Sequence, residues 1–407
     1  MNSRTFSDFI RRSFQPGVPG FALLAGLEAV VRGTTLSSFP LLMYRAYGNA
    51  SLVSVFYFCV GLISLATLMM APQLTRFLPR SRVYMLGVSL YLVAAVCGMI
   101  GGQLTGVALL TNAMAAAIAF VCFNAYILDY LDKSEFSKME SSRLLYGGIG
   151  WTAGPFLGVW LLQFWPGAPF LITSLFAGLM LILFHKIAPG NGVIIQRSVR
   201  ASTNPWVFLR RFLAQPRLIA GYFFALIRSC GWQILVIYLG IFAVESQLPE
   251  AVGGAAMSVA NAGLFIAPLM LRWVRKRPVK DAVRMGFAIT GAAFLLGAAL
   301  SPWPWLAIGV MLTGSLGLIL LDICGGLPFL MSVKPSERTE MSAVYSSFRD
   351  MSGIVTPGVA WLVLQLAPLP GVFAVAGLAM MAAFLTANQL HPRLGQKRSA
   401  PGATSAV

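Results

Sequence analysis

The tightest constraint on this chain is a series of twelve long apolar runs, near residues 18–44, 51–74, 83–102, 105–130, 144–164, 168–186, 218–244, 251–271, 282–300, 305–332, 342–366 and 370–390. A hydrocarbon core about 30 Å thick is crossed by roughly 20 helical residues, so each run is long enough to span one. Water is absent there, and every backbone amide and carbonyl must be satisfied within a helix or a closed barrel. Barrel strands would read polar at every second residue, whereas these runs are continuously apolar, which leaves helices. Composition agrees, with 57% hydrophobic and 11% charged residues and a mean hydropathy of +0.77. The expected fold class is an all-α membrane protein with twelve transmembrane helices.

The formal net charge of +17 would suggest nucleic acid in a soluble protein, but its distribution argues otherwise. Of the 30 Lys and Arg, 26 fall in the N-terminal segment, the even-numbered connections and the tail, while the odd-numbered connections hold only Arg45, with Glu245 and Glu250. By the positive-inside rule both termini are cytoplasmic and the number of spans is even. The charge is therefore a topology signal, and nucleic acid is not an expected partner. No cleavable signal peptide is expected. All five cysteines (Cys59, Cys97, Cys122, Cys230, Cys324) lie within apolar runs and suggest no disulfide framework.

The chain also repeats itself. "FIRRSFQP" (Phe9 to Pro16) is echoed by "FLRRFLAQP" (Phe208 to Pro216), "APQLTR" (Ala71 to Arg76) by "APLMLR" (Ala267 to Arg272), and "GPFLGVWLLQFWPG" (Gly154 to Gly167) by "TPGVAWLVLQLAPLPG" (Thr356 to Gly371). Offsets of 200, 196 and 202 residues drift as loop insertions would make them. The first pair reads as interfacial anchors, with aromatics in the headgroup layer and a proline opening the membrane helix. The expected organisation is an N-terminal six-helix bundle (1–186), a basic cytoplasmic linker (187–215), a C-terminal six-helix bundle (216–390) and a cytoplasmic tail (391–407), the bundles pseudo-symmetric around a central cavity.

Two parallel six-helix halves, a long central linker and basic loops after the second and eighth spans resemble the major facilitator superfamily of secondary transporters. Its hallmark loop, Gly-x-Leu-Ala-Asp-Arg-x-Gly-Arg-Lys, corresponds here to "PQLTRFLPRS" (Pro72 to Ser81) and "PLMLRWVRKR" (Pro268 to Arg277). Arg76 stands in place of the acid and Pro79 in place of the second glycine, so the resemblance implies an altered cytoplasmic latch around Arg76 and Arg272.

Ionisable residues inside the apolar runs are the main functional signal: Glu28, Arg32, Arg228, Asp322, Arg349 and Asp350. An Asp or Arg at a helix centre costs roughly 2.5–3.5 kcal/mol on insertion scales, so such residues are expected to face one another or water. Glu28 and Arg32 are four apart on one helical face. Glu28 lies 12 residues after Pro16 and Arg228 lies 12 after Pro216, which sets opposite charges at matched depths of the first and seventh spans. Asp322 and Arg349 flank the connection between the tenth and eleventh spans at similar depth, so a cross-helix pair between them is expected. Asp350, about 100° round the helix from Arg349, is expected to serve a different partner. Asn124 of the fourth span aligns with Asp322. The expected roles are proton coupling for Glu28, Asp322 and Asp350, and substrate binding for Arg32, Arg228, Arg349, Asn124, Tyr126, Trp232 and Gln233. Arginine stays protonated and offers a forked donor to carboxylate or phosphate, which points to an anionic or zwitterionic cargo.

In the fifth span, "GWTAGPFLG" (Gly150 to Gly158) carries glycines that permit close helix approach and a proline that bends the helix. Packing explains Gly150, Gly154, Pro155 and Gly158; the segment also resembles the fifth-helix motif of proton-linked exporters in the superfamily, which implies a gating role. Asp129, Asp132, Glu135 and Glu140 are expected in a solvated loop with Lys133 and Lys138.

A phosphate-binding loop, a His-Glu-x-x-His metal motif and a Gly-x-Ser-x-Gly nucleophile turn are all lacking, so the reading is a transporter rather than an enzyme, with no cofactor and no metal. The expectation is a monomeric, proton-coupled exporter of a small organic solute in a bacterial inner membrane. Its alternatives are proton-linked uptake of an organic anion or siderophore and, from another class, a transporter-like sensor or assembly factor.

Overall fold

A computed structural model describes residues 17–132, 134–187, 210–274, 276–324, 326, 329, 333, 341 and 344–388. The first basic-aromatic repeat, most of the linker, Lys334, Arg338 and the tail lie outside the described residues. Helices whose full extent is described follow in order: α1 (Val18–Leu36), α2 (Ser38–Tyr47), α3 (Ala50–Phe77), α4 (Arg80–Ile100), α5 (Leu104–Tyr130), α6 (Phe136–Leu161), α7 (Ala168–Ile187), α8 (Pro216–Glu245), α9 (Ala251–Ala262), α10 (Ala267–Val274), α11 (Val279–Ala299), α12 (Pro304–Cys324), α13 (Phe348–Leu364) and α14 (Pro370–Ala387).

Nine spans among the described residues are long and apolar enough to cross a membrane. The remaining three of the twelve expected runs are helical in a modified form. The first divides at Ser37, where Pro40 removes an amide and Thr34, Thr35 and Ser38 turn their hydroxyls back onto carbonyls three or four residues earlier, an arrangement that bends helices. The eleventh is a helix of 17 residues. The fifth starts at Phe136, eight residues before the run marked in the sequence, so Lys138, Glu140 and Arg143 belong to α6 and not to a loop. The eighth span is also broken: a 3-10 turn at Gly263–Ile266 separates α9 from α10.

Helices of the first half pack chiefly on one another, α1 on α6 and α7 and α4 on α5 and α7; in the second half α11 packs on α12 and α14, and α8 on α13. Phe21, Tyr84, Tyr91, Phe123 and Phe184 fill the first core, and Phe224, Phe287, Phe294, Leu318 and Phe373 fill the second. Large apolar side chains such as Met69, Leu144, Phe164 and Leu378 cover the outside, as lipid contact requires.

Glycines set the tightest approach in the molecule. A Cβ on Gly33 would lie 2.2 Å from the Gly150 carbonyl oxygen, and one on Gly158 would lie 1.9 Å from that of Thr34. Backbone therefore meets backbone along α1 and α6, and the Gly150, Gly154 and Gly158 series has a complete packing role.

The two halves meet along two seams, α3 with α13 and α6 with α9. Pro155 in α6 and Pro357 in α13 lie inside their helices, and each frees the carbonyl four residues earlier. Asn261 Nδ2 donates to the freed Trp151 carbonyl at 2.8 Å, and the Phe156 amide donates to Ser258 Oγ at 2.9 Å. At the other seam the Gly353 carbonyl faces Gly61, whose added Cβ would lie 2.7 Å from it. The end of the bundle where α2 meets α3 carries further bonds between the halves: an ion pair between Arg45 and Glu250, Ser54 Oγ with Tyr238 Oη at 2.7 Å, and Gln365 Nε2 donating to Ser51 Oγ at 2.7 Å.

Of the second basic-aromatic repeat the structure describes the part from residue 210 on; Phe208 lies outside the described residues. Phe212 is buried against Tyr222 and Phe329, with Val333 and Met341 beside them, so this ring packs on protein.

Candidate functional site: a cavity between the halves

A cavity of about 440 Å³ opens between the halves, and both wall it. α1 contributes Arg32, α3 Tyr57 and Ser64, α5 Asn112 and Phe120, α6 Trp151, α8 Gln233, and α13 Arg349 and Asp350. Three of the six ionisable residues singled out in the sequence thus reach it directly. Arg32 lies 5.2 Å above the Trp151 ring, held by the ring's negative face, and its Nη1 is 3.8 Å from Glu28 Oε1 one turn earlier. Glu28 itself lies behind the wall, where Tyr91 Oη donates to it at 3.5 Å.

In the second half Arg228 Nε is 3.1 Å from Asp322 Oδ1, and Trp232 Nε1 donates to Asp322 Oδ2 at 2.9 Å. The acid expected to pair with Arg349 is therefore held by Arg228 and Trp232. Arg228 also lies 5.1 Å over the Phe348 ring, and Arg349 lies 5.7 Å over the same ring. No carboxylate lies within 4 Å of Arg349 among the described residues, and no cation lies that close to Asp350. The opposite charges at the matched positions Glu28 and Arg228 do not meet; each is neutralised inside its own half.

Other expected site residues are placed more variously. Gln233 lines the cavity, and so does Asn112, whose Oδ1 accepts no hydrogen bond from the described residues. Asn124 donates to the Phe120 carbonyl at 2.9 Å and faces Arg143 Nη1 at 3.5 Å. Tyr126 is 8% exposed within a ring cluster of Tyr84, Tyr130 and Phe184, away from the cavity. Arg272 is exposed in the last turn of α10, and the Arg76 side chain lies outside the described residues.

Arg143 is hidden in the sequence because it reads as part of a cytoplasmic connection. It sits on α6, 5.9 Å over the Phe120 ring and 5.7 Å over that of Phe123, and its only carboxylate within 4 Å among the described residues is Glu140, at 4.0 Å. Its offset from the apolar boundary by a single residue is the one available signal.

Membrane-length helices around a charged cavity walled by both halves define a multi-pass membrane transporter. The sequence profile of the Major Facilitator Superfamily matches residues 21–357, and the chain belongs to that family. An uncharacterized MFS-type transporter, YhhS, of Salmonella enteritidis PT4 is 40% identical over 93 residues, which cover 23% of this chain and 22% of YhhS; the same holds for YhhS of Salmonella typhi. Among solved structures, the nucleoside transporter NupG superposes with a TM-score of 0.69 at 14% identity, covering 91% of this chain and 97% of NupG. A POT family transporter in complex with a thioalcohol conjugated peptide gives 0.71 at 12% identity, covering 93% and 97%. A bacterial homologue of the iron transporter ferroportin in its inward-facing state gives 0.65 at 16%, covering 90% and 96%. These likenesses establish the fold.

Proposed function

We propose that the protein is a proton-coupled secondary transporter that carries a small organic solute with an anionic group across a bacterial inner membrane by alternating access, acting as a monomer. The observation that carries this reading is the meeting of Arg32 from the first half with Arg349 and Asp350 from the second around one cavity. Its volume of about 440 Å³ is in the range of small-molecule sites, and Trp151, Tyr57 and Phe120 supply apolar faces beside the charges. Guanidinium groups stay charged and fork their donors, which suits a carboxylate or phosphate; Asp350 beside them suits an ammonium on the same solute.

Coupling follows from the paired acids. A proton taken by Glu28 cancels the charge that holds Arg32, which lines the cavity, so proton and anionic solute act on the same guanidinium; Asp322 holds Arg228 in the same way behind the wall of the second half. The sign of the coupling decides the direction of solute movement. Resemblance of Gly150–Gly158 to the exporter motif favours outward movement; the cavity arginines favour the alternative, proton-linked uptake of an organic anion. The bias of basic residues puts both termini in the cytoplasm and the Arg45–Glu250 end outside, so the bundles are closed outward and the cavity faces inward.

The test compares metabolites retained and secreted by cells with and without the protein, followed by flux of the solute so identified in proteoliposomes under a pH gradient. Expected are a flux driven by the gradient, its loss in Arg349→Gln, and its uncoupling from pH in Glu28→Gln or Asp322→Asn. A folded protein that moves no solute, with unchanged cell physiology in those variants, would establish the sensor or assembly role instead.

A further inference from the structure

We propose that Arg143 of α6 and Arg349 of α13 together form a two-armed anion site at the inner mouth of the cavity, and that their mutual repulsion holds this mouth open until an anionic solute lies between them. The inference rests on the transporter reading above and adds a residue and a closing rule to it.

Both arginines stand near the start of their helices, at the same end of the bundle. Arg143 is seven residues from Phe136, about 10 Å along α6. Arg349 is the second residue of α13, about 24 Å from Gln365, whose bond to Ser51 joins the halves at the far end. They belong to opposite halves, so any movement that closes the inner mouth changes the distance between them. Each lies over an aromatic ring of its own half: Arg143 over Phe120, which lines the cavity, and Arg349 over Phe348. A ring face orients a guanidinium but does not cancel its charge.

Compensation is poor for both. Arg32 and Arg228 each hold a buried or half-buried carboxylate within 4 Å, whereas the contacts of Arg143 that close are Glu140 at 4.0 Å, on an exposed side chain, and the Asn124 amide oxygen at 3.5 Å; Glu28 lies in the field of Arg143 but pairs with Arg32. Arg349 lies in the field of Arg228 of its own half, then of Asp322, and after them of Arg143 across the cavity and of Asp350, and neither acid is within 4 Å of it. As the halves close, the two like charges would be brought nearer each other, and their repulsion would grow as water leaves. A solute with two carboxylates, or a phosphate with its several oxygens, would satisfy both forks at once. Closure of an empty carrier is then slow, and closure of a loaded one is fast, which ties the return step to cargo.

The test labels Leu68→Cys, at a cavity-lining position of α3, with a membrane-impermeant maleimide in inside-out vesicles, and quantifies modification of that position by peptide mass spectrometry. Labelling of the empty carrier is expected to be fast. Arg143→Gln, and independently Arg349→Gln, should slow it by about fivefold or more, the size of an ordinary conformational coupling, while Arg143→Lys keeps the rate. Succinate, citrate or inorganic phosphate should slow labelling when Arg143 is intact and not in Arg143→Gln; dimethyl succinate should have no effect. Size-exclusion profiles confirm that each variant is folded. Equal rates in Arg143→Gln and the unsubstituted carrier, or protection by none of the three anions, would overturn the proposal even where proton-linked solute flux persists. Loss of all coupled flux in the unsubstituted protein would instead remove the transporter reading beneath it.

Discussion

Asn261 of α9 hydrogen-bonds the carbonyl of Trp151 in α6, the one backbone acceptor that Pro155 strips of its intrahelical amide. Ser258, one turn earlier on α9, takes up the neighbouring Phe156 amide. The second half thus supplies both partners that the bend in the first half requires.

That relationship predicts a coupling between two distant positions in sequence. Asn261→Ala alone should destabilise the detergent-solubilised protein by about 0.5–1.5 kcal/mol, since it leaves a polar group unpaired. Pro155→Ala restores the amide that Trp151 lacks, so in that background Asn261→Ala should cost clearly less. A double-mutant cycle of thermal stabilities measures the difference, and strict additivity would refute the assignment.

The α1–α6 contact predicts a graded response to small substitutions. Gly154→Ala and Gly158→Ala each force a methyl into backbone atoms of α1 and should cost roughly 1–3 kcal/mol, with loss of the monodisperse peak on heating. Gly178→Ala on α7 meets open space and should leave the melting profile unchanged. Indistinguishable profiles for the three variants would contradict the packing described.

How far the sequence can be read depends on the kind of signal. Apolar run length is dictated by the bilayer, so the helical architecture and the two halves' echo at Pro155 and Pro357 are legible at once. Intramembrane charges are rare enough that Arg32, Arg349 and Asp350 stand out as cavity candidates from their positions along the chain alone. Partner choice is not legible: Asp322 joins Arg228 rather than Arg349 because helix rotation and crossing, which no count along the chain contains, decide which side chains meet. Tyr126 misleads for the same reason, its hydroxyl suggesting a binding role while its ring packs with Tyr84 and Phe184. Arg143 escapes notice because helices extend beyond the apolar segment that reveals them.

The Arg228–Asp322 pair predicts an asymmetry between single and double changes. Arg228→Ala leaves an uncompensated carboxylate and should cost roughly 2–3 kcal/mol, less than a fully dry pair because Asp322 retains some exposure. Arg228→Ala combined with Asp322→Ala should recover much of that loss. Thermal unfolding of the three proteins side by side decides it; a double variant weaker than the single would argue against a mutually compensating pair.

At the far end, Arg45 and Glu250 predict a charge-swap rescue. Arg45→Glu sets two acids against each other and should raise accessibility of the cavity from that side, and adding Glu250→Arg should return it to the starting level. The contact is half-exposed, so raising salt from about 0.05 to about 0.5 M should shrink both effects. Accessibility to an impermeant thiol reagent, applied in turn to right-side-out and inside-out vesicles, reads the outcome.

The bend at Pro155 finally bears on how the chain is made. α6 is synthesised before α9, so the Trp151 oxygen receives the Asn261 donor only once a residue more than a hundred positions later has been made. The proline thereby acts as a reserved berth, making maturation of the early half contingent on arrival of the late one.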